Sequence, residues 1–204
     1  MIVKADKLAK RFNREWIFRN FTHDFGPGIY AVTGPNGSGK STLLQVLWSQ
    51  LPSSSGTLSY EQEGKIIEAD RIYRHLVIAA PYMSLIEELT LDEILRFHFS
   101  FKRPRDGRSV EEMMQRMELA HARNKPIAQF SSGMKQRLKL GLAFFSEADI
   151  IFLDEPTTNL DKKAIEWYWQ HLTGVPPQTL IFIGSNTENE YPEQARKIYL
   201  PEYK

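Results

Sequence analysis

The apolar and polar positions divide the chain into short strand-like runs, helical segments and polar turns. Segments with the texture of strands in a half-exposed sheet are residues 2–8, 16–25, 57–60 and 65–68. Shorter apolar runs, typical of buried strands, occupy residues 29–33, 76–80, 150–154, 179–184 and 197–200. A Gly-Pro-Gly turn at residues 26–28 separates the second half-exposed strand from the first buried one.

Helical periodicity appears between these strands. Two helices open with capping boxes, Thr90 with Glu93 and Ser109 with Glu112. Further helices are predicted over residues 41–51, 132–146 and 161–172. We interpret the methionine and phenylalanine stripes after the capping boxes as core packing, with a partner-binding face as the alternative. Strand–loop–helix units around a helical stretch at about residues 82–148 predict an α/β core with a helical subdomain.

Composition narrows the class of protein. A chain of 204 residues with 42% hydrophobic and 25% charged residues is expected to form one globular domain. The net charge of +1 gives no reason to expect nucleic acid as a partner. The absence of cysteine excludes disulfides, thiolate zinc sites and cysteine nucleophiles. We find neither a signal peptide nor an apolar run long enough for a membrane span.

The strongest chemical signal is the glycine-rich loop that follows the apolar run at residues 29–33. Residues 34–41 fit the phosphate-loop pattern G-x-x-x-x-G-K-S/T, with a strand before the loop and a helix after it. Its glycines let backbone N–H groups surround phosphate oxygens, Lys40 is predicted to contact the β- and γ-phosphates, and the Ser41 hydroxyl to bind Mg²⁺. The predicted ATP-binding residues of this loop are Gly34, Pro35, Asn36, Gly37, Ser38, Gly39, Lys40, Ser41 and Thr42.

A pair of acids ends the apolar run at residues 150–153. Ligands bind at the carboxyl ends of strands in α/β sheets, and Asp154 and Glu155 stand at such an end. We predict that Asp154 lies near Mg²⁺ and that Glu155 poises a water for attack on the γ-phosphate. Acids after an apolar run are weak evidence for a nucleotide site when they occur alone. They are strong evidence for such a site when a phosphate loop precedes them in the chain.

With these motifs, three further segments make nearly the whole chain resemble the nucleotide-binding subunit of an ATP-binding cassette (ABC) transporter. Residues 130–137 resemble the family signature L-S-G-G-Q-x-Q-R ahead of a helix. Residues 156–161 resemble the D-loop segment, and residues 181–185 resemble the strand before the switch residue. The resemblance implies a P-loop NTPase core sheet with an antiparallel β subdomain and a helical subdomain, all within a single ATP-binding domain over residues 1–204.

The resemblance also implies partners and roles. Two such subunits, expected to be identical, sandwich ATP head to tail, so that the signature residues Ser131, Ser132 and Gly133 contact the nucleotide on the other subunit's phosphate loop. Phe12 is expected to stack on adenine, with Trp16 as the second candidate. A separate transmembrane permease chain would dock near residues 82–101, which places the subunit in the cytoplasm on the inner face of the membrane.

The chain departs from the family pattern at four positions. Tyr82 stands where the family has the Q-loop glutamine, and Asn186 where it has the switch histidine. Ser132 replaces the first signature glycine, and Met134 a frequent glutamine; the family tolerates both. Because asparagine, unlike histidine, cannot take up a proton or carry a positive charge, we expect slow but real ATP hydrolysis, with Glu155 and Asn186 as the catalytic residues.

Two other functions compete with transport. A soluble ABC-type ATPase is one, although such proteins usually carry two cassettes in one chain or long coiled-coil insertions. A P-loop kinase or GTPase is the other. GTPases read guanine with N-K-x-D, and the similar stretch at residues 124–127 lacks the aspartate. A kinase would not explain the signature-like residues 131–137.

Overall fold

The computed structural model describes residues 1–204, which form two compact units. The first unit comprises Met1–Leu76, Asp149–Glu155 and Pro176–Lys204, and the second comprises Val77–Ala148 and Pro156–Val175. The predicted helical insertion lies inside the second unit, which also takes in the stretch after the paired acids. That the whole chain is one ATP-binding domain stays a prediction. None of the helices is both long and apolar enough to span a membrane.

Every predicted strand and helix is present, and the predicted α/β class is confirmed. The strands are β1 (Ile2–Phe12), β2 (Glu15–Phe25), β3 (Gly28–Thr33), β4 (Ser55–Gln62), β5 (Lys65–Ile67), β6 (Leu76–Ala79), β7 (Ile150–Asp154), β8 (Leu180–Ser185) and β9 (Arg196–Tyr199). The helices are α1 (Lys40–Leu47), α2 (Leu91–Phe101), α3 (Val110–Arg116), α4 (Ser132–Phe144) and α5 (Lys162–Thr173).

One sheet is antiparallel, with the order β2-β1-β4-β5. Strand β1 runs four residues beyond its predicted end at residue 8. The prediction rested on alternating apolar and polar positions, and β-bulges and the left-handed backbone at Lys7 (φ 49°) break that alternation. Leu8, Ala9 and Lys10 are buried in succession. Lys10 tolerates burial because its Nζ donates to the carbonyl of Pro52 at 2.7 Å.

The first helix is shorter than predicted and ends at Leu47 rather than residue 51. The backbone leaves the helix where Ser49 adopts φ 62°. The buried Tyr60 hydroxyl holds this exit, because it donates to the carbonyl of Leu47 at 2.9 Å and lies 2.7 Å from the Ser49 hydroxyl. Burial raises the pKa of Tyr60 to about 12, so the phenol stays protonated at neutral pH.

The second sheet has the order β6-β7-β8-β3-β9, and the pairs among β7, β8, β3 and β9 are parallel. In this register Thr33 pairs with Ser185, and Asp154 pairs with Gly184. The carboxyl ends of β3, β7 and β8 therefore meet at one edge of the sheet. Because parallel strands end together there, the phosphate loop, Glu155 and Asn186 all begin at that edge.

The second unit is mainly helical, and both predicted capping boxes are present. The three predicted core methionines, Met113, Met114 and Met117, have no exposed surface. A Cβ at Gly141 would lie 2.6 Å from Met117 Cε, which shows how closely α4 approaches this cluster. The packing interpretation holds for the methionines but not for every aromatic residue of α2, since Phe97 and Phe101 are exposed.

Candidate functional site

The loop between β3 and α1 has the backbone of a phosphate-binding loop. Gly34, Gly37 and Gly39 have φ values of 144°, 74° and 103°, which favour glycine. A Cβ at Gly39 would collide with the side chain of Ile17, so this position excludes larger residues. No side chain caps the N-terminus of α1. Its first N–H groups are therefore available to an anion.

A buried cation lies inside this loop. Lys40 is only 5% exposed, and its Nζ donates to the carbonyls of Gly34 at 3.0 Å and Pro35 at 3.2 Å. It forms no ion pair with a carboxylate. The hydroxyl of Ser38 is also buried and has no hydrogen-bond partner. An ammonium group and a hydroxyl held in this way are suited to a phosphate group, because both donate hydrogen bonds to anionic oxygens.

Two acids follow at the end of β7. Asp154 is 1% exposed and stands beside Gly184, where a Cβ would lie 2.5 Å from its Oδ1. Glu155 has a left-handed backbone with φ 45°, and its N–H donates to the carbonyl of Gly184 at 2.8 Å. Such strained positions persist only where the surrounding structure fixes them, and they cluster at functional sites.

Glu155 lines the same cavity as the phosphate loop. This cavity has a volume of ≈ 250 Å³. The other residues that line it are Ile17, Asn36, Gly37, Gly39, Lys40, Ser41 and Thr42. The structure thus brings together most of the predicted loop residues and the predicted catalytic acid, whose roles remain predictions.

Asn186 also reaches the loop. Its Nδ2 donates to Asn36 Oδ1 at 2.7 Å, across 150 positions of sequence. The turn that carries Asn186 is fixed by Ser185, whose hydroxyl contacts the carbonyl of Thr187 and the carboxylate of Glu190. Glu190 is 3% exposed, so this contact is buried. Sequence reasoning missed Glu190, because an acid four residues beyond the switch position gives no signal without the fold.

The predicted adenine-stacking residues do not line this cavity. Phe12 is exposed at the end of β1, with Lys10 Nζ 5.1 Å from its ring centroid. The Trp16 ring lies near the guanidinium groups of Arg11 and Arg19, at 5.4 and 5.8 Å. The β2 residue that reaches the cavity is Ile17, which sequence reasoning missed. Ile17 can lie there because Gly39 has no side chain to block it. No sequence pattern indicates the contact between Ile17 and Gly39.

The signature-like residues lie in the second unit, where a separate cavity of ≈ 400 Å³ adjoins the start of α4. Ser131 caps this helix by accepting from the N–H of Met134 at 3.2 Å. A Cβ at Gly133 would lie 3.0 Å from the carbonyl oxygen of Asn159. The residues that line the cavity are Glu118, Leu119, His121, Ser131, Ser132, Gly133, Met134, Arg137, Asn159, Leu160, Asp161 and Ala164.

This second cavity joins two segments that the sequence separates. Residues 131–134 and 159–161 line it together, and the buried Gln136 donates from Nε2 to the carbonyl of Pro156 at 2.8 Å. Arg137 donates to Glu118 at 2.6 Å. Hydrogen bonds from Arg137 and Lys163 lower the pKa of the Glu118 carboxyl. Tyr82 also belongs to this unit and is exposed, and its predicted contact with nucleotide stays a prediction.

The donors at the phosphate loop fit a magnesium ion bound with a nucleotide. Mg²⁺ prefers oxygen ligands and usually takes one or two from protein and the rest from phosphates and water. Asp154 and Ser41 provide such oxygens within the first unit, and the missing Cβ of Gly184 leaves room for the carboxylate. No group of three or more His, Asp or Glu side chains forms an independent metal site.

Comparison with known proteins agrees with this arrangement. The DrrA3 daunorubicin resistance ATP-binding protein of Streptomyces coeruleorubidus is 32% identical over 145 residues, covering 69% of this chain and 46% of that protein. The uncharacterized ABC transporter ATP-binding protein YcbN of Bacillus subtilis is 28% identical over 166 residues, covering 81% and 54%. The chain thus spans about half the length of these curated relatives.

A solved structure shares the fold. A Pyrococcus furiosus protein described as an ABC transporter ATP-binding protein superposes with a TM-score of 0.81 at 17% identity, covering 100% of this chain and 99% of the other. At this identity the likeness concerns the fold alone, and it confirms the predicted α/β core sheet with an antiparallel β subdomain. The profile of the ABC transporter family matches residues 19–158, more than half of the sequence. The chain therefore belongs to the ABC transporter family.

Proposed function

We propose that this chain binds MgATP on residues 34–42 and hydrolyses it as the nucleotide-binding subunit of a transporter with a separate membrane-spanning chain. The observation that carries the proposal is the cavity shared by the phosphate loop and Glu155. It combines the buried Lys40 ammonium, open N–H groups at the start of α1 and a fixed carboxylate. Family membership favours ATP over other anionic ligands.

In this proposal the loop binds the phosphates through its backbone. The N–H groups of residues 37–42 and the positive end of α1 surround the β-phosphate, and Lys40 exchanges its carbonyl contacts for β- and γ-phosphate oxygens. Ser41 and Asp154 hold Mg²⁺, which neutralises charge on the phosphates when it is bound. Because Lys40 is already buried, the protein has accepted most of the desolvation cost of this ammonium group before ATP arrives.

Hydrolysis then depends on Glu155. Its carboxylate accepts a proton from a water molecule as the water oxygen bonds to the γ-phosphorus, and the bond from that phosphorus to the β–γ bridging oxygen breaks to leave ADP. The hydrogen bond from the Glu155 N–H to Gly184 fixes the backbone that aims the carboxylate. Asn186 donates to a γ-phosphate oxygen without supplying a charge, which is why we expect slow turnover.

A second copy of the chain completes the site. Ser131 and Gly133 border a cavity of their own in the second unit, and we propose that this cavity receives the nucleotide bound to the phosphate loop of the partner copy. ATP favours this closed dimer only to the extent that it binds the closed form more tightly than the open one. Release of the γ-phosphate removes that preference.

We propose that the membrane-spanning chain docks on exposed apolar residues of the second unit, and that the subunit lies at the inner face of the membrane. The exposed residues are Tyr82, Met83, Ile86, Phe97 and Phe101. The rings of Phe97 and Phe101 contact each other with centroids 5.3 Å apart. A group of large apolar side chains on a monomer surface is typical of a docking site for another protein.

Phosphate release tests the catalytic part of this proposal. Wild type, purified with its membrane partner, is expected to release phosphate from MgATP, and Glu155→Gln to do so about 100-fold more slowly while still binding ATP. Equal rates would eliminate Glu155 as the base. Absence of release from wild type would instead favour an ATP-binding switch without turnover.

Cell fractionation separates transport from the alternative, a soluble ABC-type ATPase. A transporter subunit is expected to sediment with membranes and to be released when Phe97 and Phe101 are replaced by serine. The exposed Tyr199 provides a control, because it lies in the first unit and Tyr199→Ser should leave sedimentation unchanged. Wild type that stays with ribosomes or in the soluble fraction would contradict the transport assignment.

A further inference from the structure

Two side-chain amides form a direct link across the phosphate-loop site. Asn186 Nδ2 donates to Asn36 Oδ1 at 2.7 Å. The link follows from the sheet, since Thr33 and Ser185 are paired at the ends of β3 and β8. The loop that carries Asn36 and the turn that carries Asn186 therefore leave the same edge. Both asparagines are exposed, so neither amide is needed to satisfy a buried polar group.

The turn at residues 185–187, which carries the exposed Asn186, is fixed by hydrogen bonds of the Ser185 hydroxyl. The Ser185 hydroxyl accepts from the N–H of Thr187 at 2.9 Å and contacts the buried Glu190 carboxylate. The Thr187 hydroxyl lies 3.4 Å from Asn186 Oδ1, so the carbonyl end of this amide has a neighbour as well. The amide of Asn186 is thus held at both ends, by Asn36 and by Thr187.

The chemistry of this pair suits recognition of an anion. A primary amide has two N–H groups, and Asn36 Oδ1 takes one of those on Asn186. One N–H of Asn186 and both N–H groups of Asn36 remain, and Asn36 itself lines the phosphate-loop cavity. These donors carry no charge and do not titrate. A fixed partner lowers the conformational entropy that Asn186 loses when it binds a phosphate oxygen.

We propose that Asn36 is a positioning residue for Asn186, and that the two amides act together as a neutral sensor of the terminal phosphate. This inference rests on the proposed ATP-binding function. It predicts that the pair distinguishes ATP from ADP, because only ATP places oxygens beyond the β-phosphate. It also predicts that removing either amide has the same consequence, since without Asn36 the Nδ2 end of the Asn186 amide loses its partner.

Equilibrium binding tests the pair without requiring turnover. In a Glu155→Gln background, dissociation constants for MgATP and MgADP are measured by calorimetry for Asn36→Ala, Asn186→Ala and the double variant. Each single variant is expected to lower the preference for ATP over ADP by about tenfold, the worth of one hydrogen bond to a charged group. The double variant is expected to lose no more than either single one. Affinity for ADP should stay unchanged.

The exposed turn residue Asn124 of the second unit provides the matched control, and Asn124→Ala should leave both constants unchanged. Losses that multiply in the double variant would show two independent contacts and overturn the positioning role. Equal weakening of ATP and ADP would overturn the sensor, because Asn36 would then act only on the loop. A background protein that fails to bind MgATP at all would instead refute the proposed function itself.

Discussion

The phosphate-loop cavity and the cavity beside residues 131–134 differ in how completely one chain builds each of them. In the first, Lys40 and Ser38 are buried, and three left-handed glycines shape the backbone. In the second, Ser131 and Ser132 are exposed, and the Ser131 hydroxyl already caps α4. The first cavity therefore has buried hydrogen-bond donors in place for an anion before the ligand binds. The second cavity has the exposed side chains of Ser131 and Ser132 at the start of α4.

This difference indicates a division of labour. A phosphate group stabilises a buried ammonium group that has only carbonyl partners, because without the phosphate its charge is incompletely paired. An exposed serine and a glycine at the start of a helix bind a phosphate group far more weakly by themselves. We infer that affinity for ATP comes from the phosphate loop, and that residues 131–133 contribute when the partner copy brings a nucleotide to them.

Removal of the Lys40 ammonium group should have the largest effect. Lys40→Ala is expected to weaken MgATP binding by more than about 100-fold, because the buried charge-assisted contacts to phosphate are lost. Calorimetry in the slowly hydrolysing Glu155→Gln background measures the dissociation constant for MgATP. Lys139 is the matched control, because its Nζ also donates to two carbonyls, those of Ala80 at 3.1 Å and Pro81 at 2.9 Å. If Lys139→Ala weakened MgATP binding as much as Lys40→Ala, the affinity for ATP could not be assigned to the phosphate-loop cavity.

The second unit should respond to acid through His98. Burial lowers the pKa of His98 to about 4 from its ordinary 6.5. Between these values the unfolded chain binds more protons than the folded one, so the free energy of unfolding falls as the pH decreases through this window. The loss is up to about 3 kcal/mol between pH 7 and pH 4.

Urea unfolding at a series of pH values measures the contribution of His98. His98→Gln keeps a polar group near the Ser146 hydroxyl, which lies 2.8 Å from His98 Nε2, and cannot titrate. This variant should show a smaller loss of stability between pH 6.5 and pH 4 than wild type. An unchanged pH dependence would show that His98 is not the group responsible.

A bulky residue at the signature should separate turnover from binding. Ser131→Arg is expected to reduce ATP turnover by about 30-fold and to abolish ATP-dependent dimers, while affinity of the monomer for ATP stays within about twofold of wild type. Light scattering with and without MgATP follows the dimer. Asn124→Arg adds the same side chain at an exposed turn of the same unit and should change neither quantity. Loss of monomer affinity in Ser131→Arg would contradict the division of labour.

The smallest effect concerns adenine. If Phe12 stacks on the base, Phe12→Ala should weaken ATP binding by about fivefold and leave binding of inorganic triphosphate unchanged, because stacking contributes about 1 kcal/mol. Trp16→Ala is the comparison variant, since Arg11 and Arg19 already lie against that ring. A larger loss in Trp16→Ala would transfer the stacking role to Trp16.

The positions of the phosphate loop and of the paired acids in the fold were predictable from sequence because they depend on local order. A strand, glycines at fixed positions and a lysine at the start of a helix define the loop with little help from distant residues. The buried run at residues 150–153 similarly placed Asp154 and Glu155 at a strand end.

Contacts between distant segments could not be predicted in the same way. Ile17 reaches the cavity because Gly39 has no side chain, and Asn36 meets Asn186 because β3 and β8 are neighbours in register. The extent of β1 was also wrong in the prediction, because bulges break its alternation. These features depend on register and on close approach, and a single sequence records neither.

Hydrogen exchange of the loop amides tests the central claim most directly. Addition of MgATP should slow exchange of the N–H groups of Gly34 and residues 36–42 in the wild-type protein, because those groups would then donate to phosphate oxygens. The same addition should leave exchange of these amides unchanged in Lys40→Ala. Unchanged exchange at residues 34–42 in wild type, at an ATP concentration that saturates binding, would place the nucleotide elsewhere and contradict the account.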